Sequence, residues 1–182
     1  MIILGIDPGT LVTGYGVIES AGKGLTIRLV EYGTIESKRI ATLPLRLHAI
    51  FTRLSAVIER VRPNELAIES AFYHKNVQST LKLGHARGVA MLAGILKDLP
   101  AAEYSPREIK RAVVGNGNAS KEQVEYMVRA LLRLEKADKK LPDAYDALAV
   151  AITHAARSGP VAKKSWKNWK QFAEENSERI RK

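Results

Sequence analysis

The sequence predicts an α/β domain built on a mixed sheet, and three observations carry that prediction. Apolar, β-rich runs at residues 2–7, 13–20 and 24–36 come first, broken by Gly14, Gly16 and the turn Ala21-Gly22-Lys23-Gly24. That pattern reads as three strands in an antiparallel meander. Helical and extended periodicities then alternate, and the last part of the core is helical throughout. No internal repeat interrupts the order.

The first run, Met1-Ile2-Ile3-Leu4-Gly5-Ile6, is apolar on both faces, as a fully buried strand should be, and closes on Asp7. Leu43, Leu47, Ile50, Leu54, Val57, Ile58 and Val61 recur at helical spacing, so 44–61 is an amphipathic helix stopped by Arg62-Pro63-Asn64. Residues 65–69 form the next strand, ending on Glu69. The polar, aromatic stretch Ser70 to Gln78 leads into a helix over about 79–98. That helix carries Leu81, Leu83, Ala86, Val89, Ala90, Leu92, Ala93, Ile95 and Leu96 around much of its circumference, and Gly84 and Gly88 leave room for another element. It reads as a core helix buried on two sides or as a subunit interface.

Residues 101–105 make a short strand. Ser105 caps a helix over 106–113 that opens on Pro106. Gly115-Asn116-Gly117-Asn118 is a loop, and Ser120 with Gln123 forms a capping box for the following helix. Leu141-Pro142 introduces the last core helix, which stops at Gly159-Pro160.

At 182 residues, the chain is sized for one domain with its own core. Cysteine is absent, which excludes disulfides and thiolate zinc sites. The residues after Met1 are core-like with no basic region or cleavage site, and no apolar run approaches the ~20 residues that span a bilayer. A cytoplasmic protein without membrane contact is expected. The net charge of +10 points to a polyanionic partner, nucleic acid first.

Against that basic background, acids sit where core elements end. Asp7 and Glu69 close buried strands, and Asp143 and Asp146 share one face of a helix start. Buried carboxylates repel one another and lose solvation, so such a cluster needs a cation. Mg²⁺ suits it: hard, oxygen-seeking, and held by a few carboxylates plus phosphate. Two ions on such carboxylates would activate a water and stabilise a leaving 3′ oxygen in phosphodiester hydrolysis. Plainer readings exist for each acid taken singly. Asp7-Pro8-Gly9-Thr10 could be a capped turn, Glu69 a structural acid, Asp143 a helix cap and Asp146 a solvated residue. Asp146 resists most, because Ala144, Ala147, Leu148, Val150, Ala151 and Ile152 surround it in sequence.

Gly5-Ile6-Asp7-Pro8-Gly9-Thr10, Ala67-Ile68-Glu69, Leu81-Lys82-Leu83-Gly84-His85-Ala86-Arg87-Gly88, Val113-Val114-Gly115-Asn116-Gly117 and Asp143-Ala144-Tyr145-Asp146-Ala147-Leu148-Ala149 carry a resemblance. In order and spacing they resemble the RuvC family of Holliday-junction resolvases over residues 1–158. The resemblance implies a ribonuclease H-like fold, a five-stranded mixed sheet flanked by helices. It implies a homodimer, formed through helix 79–98, that nicks two opposed strands of a four-way DNA junction and leaves 5′-phosphate and 3′-hydroxyl ends. Asp7, Glu69, Asp143 and Asp146 look like its catalytic, metal-binding acids, with two Mg²⁺ per site and Mn²⁺ as a substitute. Some members carry His at the third position, where this chain has Asp143. Phe72 resembles the aromatic that stacks at the junction centre, with Tyr73 beside it. Lys110 and Lys121 look like the basic residues near the scissile phosphate. Core packing for Phe72 and solvated helix faces for the lysines are the plainer alternatives. The family also implies the branch-migration proteins RuvA and RuvB as partners, and roles in recombination and repair.

His48, His74, His85 and His154 are scattered without triad or zinc spacing and read as structural or surface residues. The tail, 159–182, matches no family motif. From 160 it holds seven Lys/Arg against three Glu, with Trp166 and Trp169 among the cations. It reads as a solvated tail or a DNA-touching arm. Three rival readings remain. Asp7, Gly9, Thr10 and Gly14 also fit the first phosphate loop of the actin, Hsp70 and sugar-kinase superfamily, which needs a second loop and a second large domain. Another nuclease on the same fold and a non-catalytic DNA-binding module are the others.

Overall fold

The computed structural model describes residues 1–21, 26–70, 77–134 and 141–158. Five strands form one sheet: β1 (Ile2–Asp7), β2 (Val12–Ser20), β3 (Ile27–Glu36), β4 (Glu65–Glu69) and β5 (Ala101–Tyr104), in the order β3-β2-β1-β4-β5. β1, β2 and β3 form the predicted antiparallel meander, while β4 and β5 join in parallel on the other side of β1. The parallel pairs require crossovers, and helices supply them. α1 (Leu43–Val61) leads from the meander to β4, and α2 (Val77–Ile95) precedes β5. α3 (Pro106–Val114), α4 (Lys121–Leu132) and α5 (Pro142–Ser158) complete the chain.

Strand alternation divides the sheet into two faces. Leu4, Ile6, Val17, Leu66 and Ile68 point to the side covered by α1 and α2. Ile3, Ile18 and Ala67 point to the side covered by α3, α4 and α5. Ile3, Leu4, Ile6, Leu66 and Ile68 are fully buried, and each such side chain contributes ~1.5–3 kcal/mol. Counting by twos, Asp7 and Glu69 fall on the α5 side of the sheet.

α5 lies on that face unusually closely. A Cβ on Gly5 would stand 2.2 Å from the carbonyl oxygen of Ala147, and one on Gly14 would stand 1.9 Å from that of Asp143. Only glycine admits the helix backbone at these points. The start of α5 is thereby set down over the end of β1.

The boundaries differ from expectation in ways with local causes. α2 runs 77–95 rather than 79–98. Its end tightens as Lys97 and Leu99 both donate to the carbonyl of Gly94, and Asp98 turns to a positive φ of 55°. In β3, Val17 pairs with Glu31 and Ile18 with Leu29, which leaves Val30 as an extra residue in an edge strand. α3 and α4 each begin with a complete capping box, Ser105 with Glu108 and Ser120 with Gln123.

α2 is not buried on two sides within this chain. Ala86, Ala90, Ala93 and Gly94 face inward, while Val77, Leu81, Leu92, Ile95 and Leu96 are exposed. At 3.6 residues per turn those exposed residues share a single stripe with Gly84 and Gly88. Nothing lies within 4 Å of where a Cβ would stand on either glycine. The room they leave is not filled by another element among the described residues.

Candidate active site

The acids converge at one edge of the sheet. β1 and β4 run parallel, with Ile6 beside Ile68, so their C-terminal ends bring Asp7 and Glu69 next to each other. α5 enters from above with Asp143 and Asp146 in its first turns. Carboxylate oxygens of Asp7, Asp143 and Asp146 all lie within 4.8 Å of one another. Glu69 stands beside Asp7, close enough for each carboxyl to perturb the other.

The electrostatics match the crowding. Burial, then the charges of Glu69, Asp146 and Asp143, push the Asp7 carboxyl up to about 8. Burial and the charge of Asp146 push Glu69 up to about 7, against the pull of Lys121 and Lys110. Asp146 is also raised, by burial first, although its bond to Lys121 opposes the shift. Asp7, Glu69 and Asp146 so placed do not ionise together without cationic help. The Lys121 ammonium supplies part of it, at 2.5 Å from an Asp146 oxygen. Burial disfavours its charge, but the bond to Asp146 and the charges of Asp143 and Asp7 outweigh that, and its pKa rises.

A cavity of about 240 Å³ opens beside the acids. Glu69, Asp146, Lys110 and Lys121 line its polar side, and Pro106, Ile109, Val124 and Ala149 its apolar side. Lys110 comes from α3 and Lys121 from the first turn of α4, so both predicted lysines stand at the site. Phe72 and Tyr73 lie outside the described residues, as do His74 and the 159–182 tail.

The donor set fits hard divalent cations. It consists of oxygens alone, one from the end of β1 and two from the start of α5 within one ligand-sized span, and the raised pKa values of Asp7 and Asp146 express the deficit of positive charge that an ion would fill. His48 and His85 are exposed and away from these acids, as expected for surface residues. His154 is buried, bonded to Glu65 and, at 2.8 Å, to the Tyr104 hydroxyl. It is a structural histidine that ties α5 to β4 and β5.

The family model described as crossover junction endodeoxyribonuclease RuvC matches residues 3–154. The chain belongs to the RuvC family. The crossover junction endodeoxyribonuclease RuvC of Porphyromonas gingivalis is 45% identical over 186 residues, covering 99% of this chain and 97% of that one. Its counterpart in Halorhodospira halophila is 51% identical over 160 residues, covering 87% and 93%. Among solved structures, Thermus thermophilus RuvC in complex with a Holliday junction substrate superposes with a TM-score of 0.79 at 35% identity, covering 86% of this chain and 94% of that chain. The yeast mitochondrial Holliday junction resolvase Ydc2 shares the fold, at a TM-score of 0.57 and 14% identity. RuvC membership sets aside the sugar-kinase-like reading of the Asp7-Pro8-Gly9-Thr10 loop. The expected ribonuclease H-like architecture, a five-stranded mixed sheet with helices on both faces, is the one observed.

The acids and both lysines singled out from the sequence stand together, held by contacts that the sequence does not show. The Lys121–Asp146 pair joins α4 to α5, and Gly14 meets Asp143 across 129 positions of chain. The glycines were visible as turn punctuation only. Their packing role appears once α5 is placed.

Proposed function

We propose that this protein is a divalent-metal-dependent endonuclease that resolves four-way DNA junctions by paired nicks in opposed strands. The observation that carries the reading is the convergence of Asp7, Glu69, Asp143 and Asp146 beside a cavity flanked by Lys110 and Lys121. RuvC membership, and the junction bound by the Thermus relative, support four-way DNA as the substrate.

Asp7, Glu69, Asp143 and Asp146 would hold two Mg²⁺ ions, with Mn²⁺ as a substitute. Those ions would lower the pKa of the attacking water and neutralise charge on the leaving 3′ oxygen. Hydrolysis at that bond leaves a 5′ phosphate and a 3′ hydroxyl. The chain's own groups do the rest. Asp7 and Glu69, both held up in pKa by burial and by their acidic neighbours, would ionise fully only with cations bound beside them. Lys121 neutralises Asp146 before substrate is present and can turn to a phosphate oxygen afterwards. Lys110, lining the same cavity, would pair with the same phosphodiester. Phe72, with Tyr73 beside it, would stack on an unpaired base at the crossover, a contact worth ~1–3 kcal/mol.

The protein would act as a homodimer through α2, whose outward stripe of Val77, Leu81, Leu92, Ile95 and Leu96 lacks cover in the single chain. A C₂ dimer presents two equivalent sites to a two-fold junction. RuvA and RuvB as branch-migration partners, and service in recombination and repair, follow from the family.

The test compares a labelled four-way junction with linear duplex of the same sequence, in Mg²⁺ and in EDTA. Paired, ligatable nicks in the junction only, and with Mg²⁺ only, are expected. Asp7→Asn and Asp146→Asn should abolish nicking and keep, or tighten, junction binding. Nicking retained by either pure variant removes that acid from the mechanism. Stronger cleavage of RNA–DNA hybrid than of junction would favour a different nuclease activity.

A further inference from the structure

The β3 flank of the acid cluster carries cations that no ion pair explains. Ser37, the first residue after β3, donates its backbone N–H to the Leu11 carbonyl at 2.9 Å. Its hydroxyl donates to the Thr10 carbonyl, also at 2.9 Å. The segment after β3 is therefore fastened to the loop that follows Asp7. Lys38 and Arg39 project from it, both exposed. Arg46, in the first turns of α1, donates through Nε to the Ile40 carbonyl at 2.7 Å and holds the segment from behind.

Some arginines of this flank are paired with acids. At the far end of β3 and α1, arginines meet acids: Arg28 with Glu19, and Arg60 with Glu31, each at 2.6 Å. Lys38, Arg39 and Arg46 have no acidic partner among the described residues, and the first turn of α1 contains no acid. Lys38 and Arg39 thus add uncompensated charge to the end of the sheet that bears Asp7. Lys110 and Lys121 stand across the acids, on the β4–β5 side.

We propose that Lys38 and Arg39, on a segment held in place by Arg46, form a second phosphate-contacting surface, which grips the backbone of the DNA arm leaving the cleavage site on the β3 side. This rests on the junction-nuclease reading for the identity of the DNA. The dimensions agree. β1 and β3 are two strand spacings apart, ~10 Å, which is about three base-pair rises of ~3.4 Å. A strand held at the acids would then meet the segment a few phosphates away. Such contacts position the arm without reading its sequence.

The test is the salt dependence of junction binding, measured in EDTA by anisotropy of a labelled four-way junction from about 50 to about 200 mM salt. Each lost phosphate contact should flatten the slope of log K against log salt by ~0.9. Lys38→Gln with Arg39→Gln should flatten it by ~1.8, equally on junctions of different sequence. Arg28→Gln with Arg60→Gln, at the paired end, should leave it unchanged. A wild-type slope in the Lys38/Arg39 variant overturns the surface. So does equal flattening in the far-end control, which would reflect total charge alone. Should the double variant lose its thermal transition, Lys38→Gln alone makes the same comparison with a shift of ~0.9. Failure of the nuclease reading would show separately, as wild-type protein that does not nick the junction with Mg²⁺ whatever the slopes.

Discussion

Asp7 is the residue in which the demands of folding and chemistry conflict most. Its folded pKa of about 8 lies above its ordinary 3.8, so folding favours the protonated carboxyl. The sign follows. Below about pH 4 the group costs nothing, the cost grows as pH rises through that window, and it is complete above about 8. Without metal, Asp7→Asn should therefore melt higher than the wild type at pH 8 and match it near pH 4. Adding Mg²⁺ should raise the wild-type Tm at pH 8 and move the variant less. For a chain of this length ~1 kcal/mol corresponds to ~2–4 °C, which scanning calorimetry reads directly. A variant no more stable than the wild type at pH 8 would mean that the cluster is already neutralised by Lys121. Glu108 has the opposite sign. The Ser105 backbone N–H and hydroxyl, then Arg157, hold its carboxyl down at about 2. Its contribution is present above about 4.5 and lost as pH falls towards 2. Glu108→Gln should thus narrow the Tm difference between pH 6 and pH 3, with the melting curve at each pH as the measurement.

At the scale of elements, the site depends on how low α5 sits on the sheet. A methyl group on Gly14 would stand 1.9 Å from the Asp143 carbonyl oxygen, against backbone rather than a side chain that can swing away. Gly14→Ala must therefore lift the start of α5. Overpacking of this kind costs ~1–3 kcal/mol. A displacement of ~1 Å at reacting groups can cost ~100-fold in rate. Single-turnover junction cleavage should fall by that order while the protein still melts cooperatively. Unchanged cleavage would show that the acids tolerate movement of their helix. The strands and helices were legible in the sequence because alternation and 3.6-residue spacing are local signals. Asp7 and Glu69 were legible because each closes an apolar run. The contacts of Gly5 and Gly14 with α5, and the His154–Glu65 bond, were not, since their partners lie far along the chain and no local pattern encodes them. The unpaired state of Lys38 and Arg39 was hidden for a related reason: composition counts charges, and only the fold shows which are compensated.

The whole molecule presents two surfaces that ask for partners, one cationic and one apolar. The acid edge is flanked by Lys110 and Lys121 on one side and Lys38 and Arg39 on the other, so that part of the net charge of +10 stands beside the acids. The apolar stripe of α2 lies on the opposite face of the sheet from α5, on a helix that begins eight residues after Glu69. Isolated exposed leucines are ordinary, but a stripe with two open glycines has the composition of a helix interface. If that stripe holds the dimer together, Leu81→Glu with Leu92→Glu places charge where two helices must meet. Both side chains are about half exposed in the single chain, so the fold should survive. The variant should scatter light as a monomer and keep its thermal transition. Each monomer retains its four acids and two lysines. It should therefore still nick a junction at high protein concentration, but one strand at a time, so that nicked intermediate accumulates before product. Paired nicking by a monomeric variant would sever the link between dimer and symmetry. A dimer that persists would move the interface away from α2. Accumulated single nicks with intact active sites would establish that coordination resides in the assembly and chemistry in the protomer.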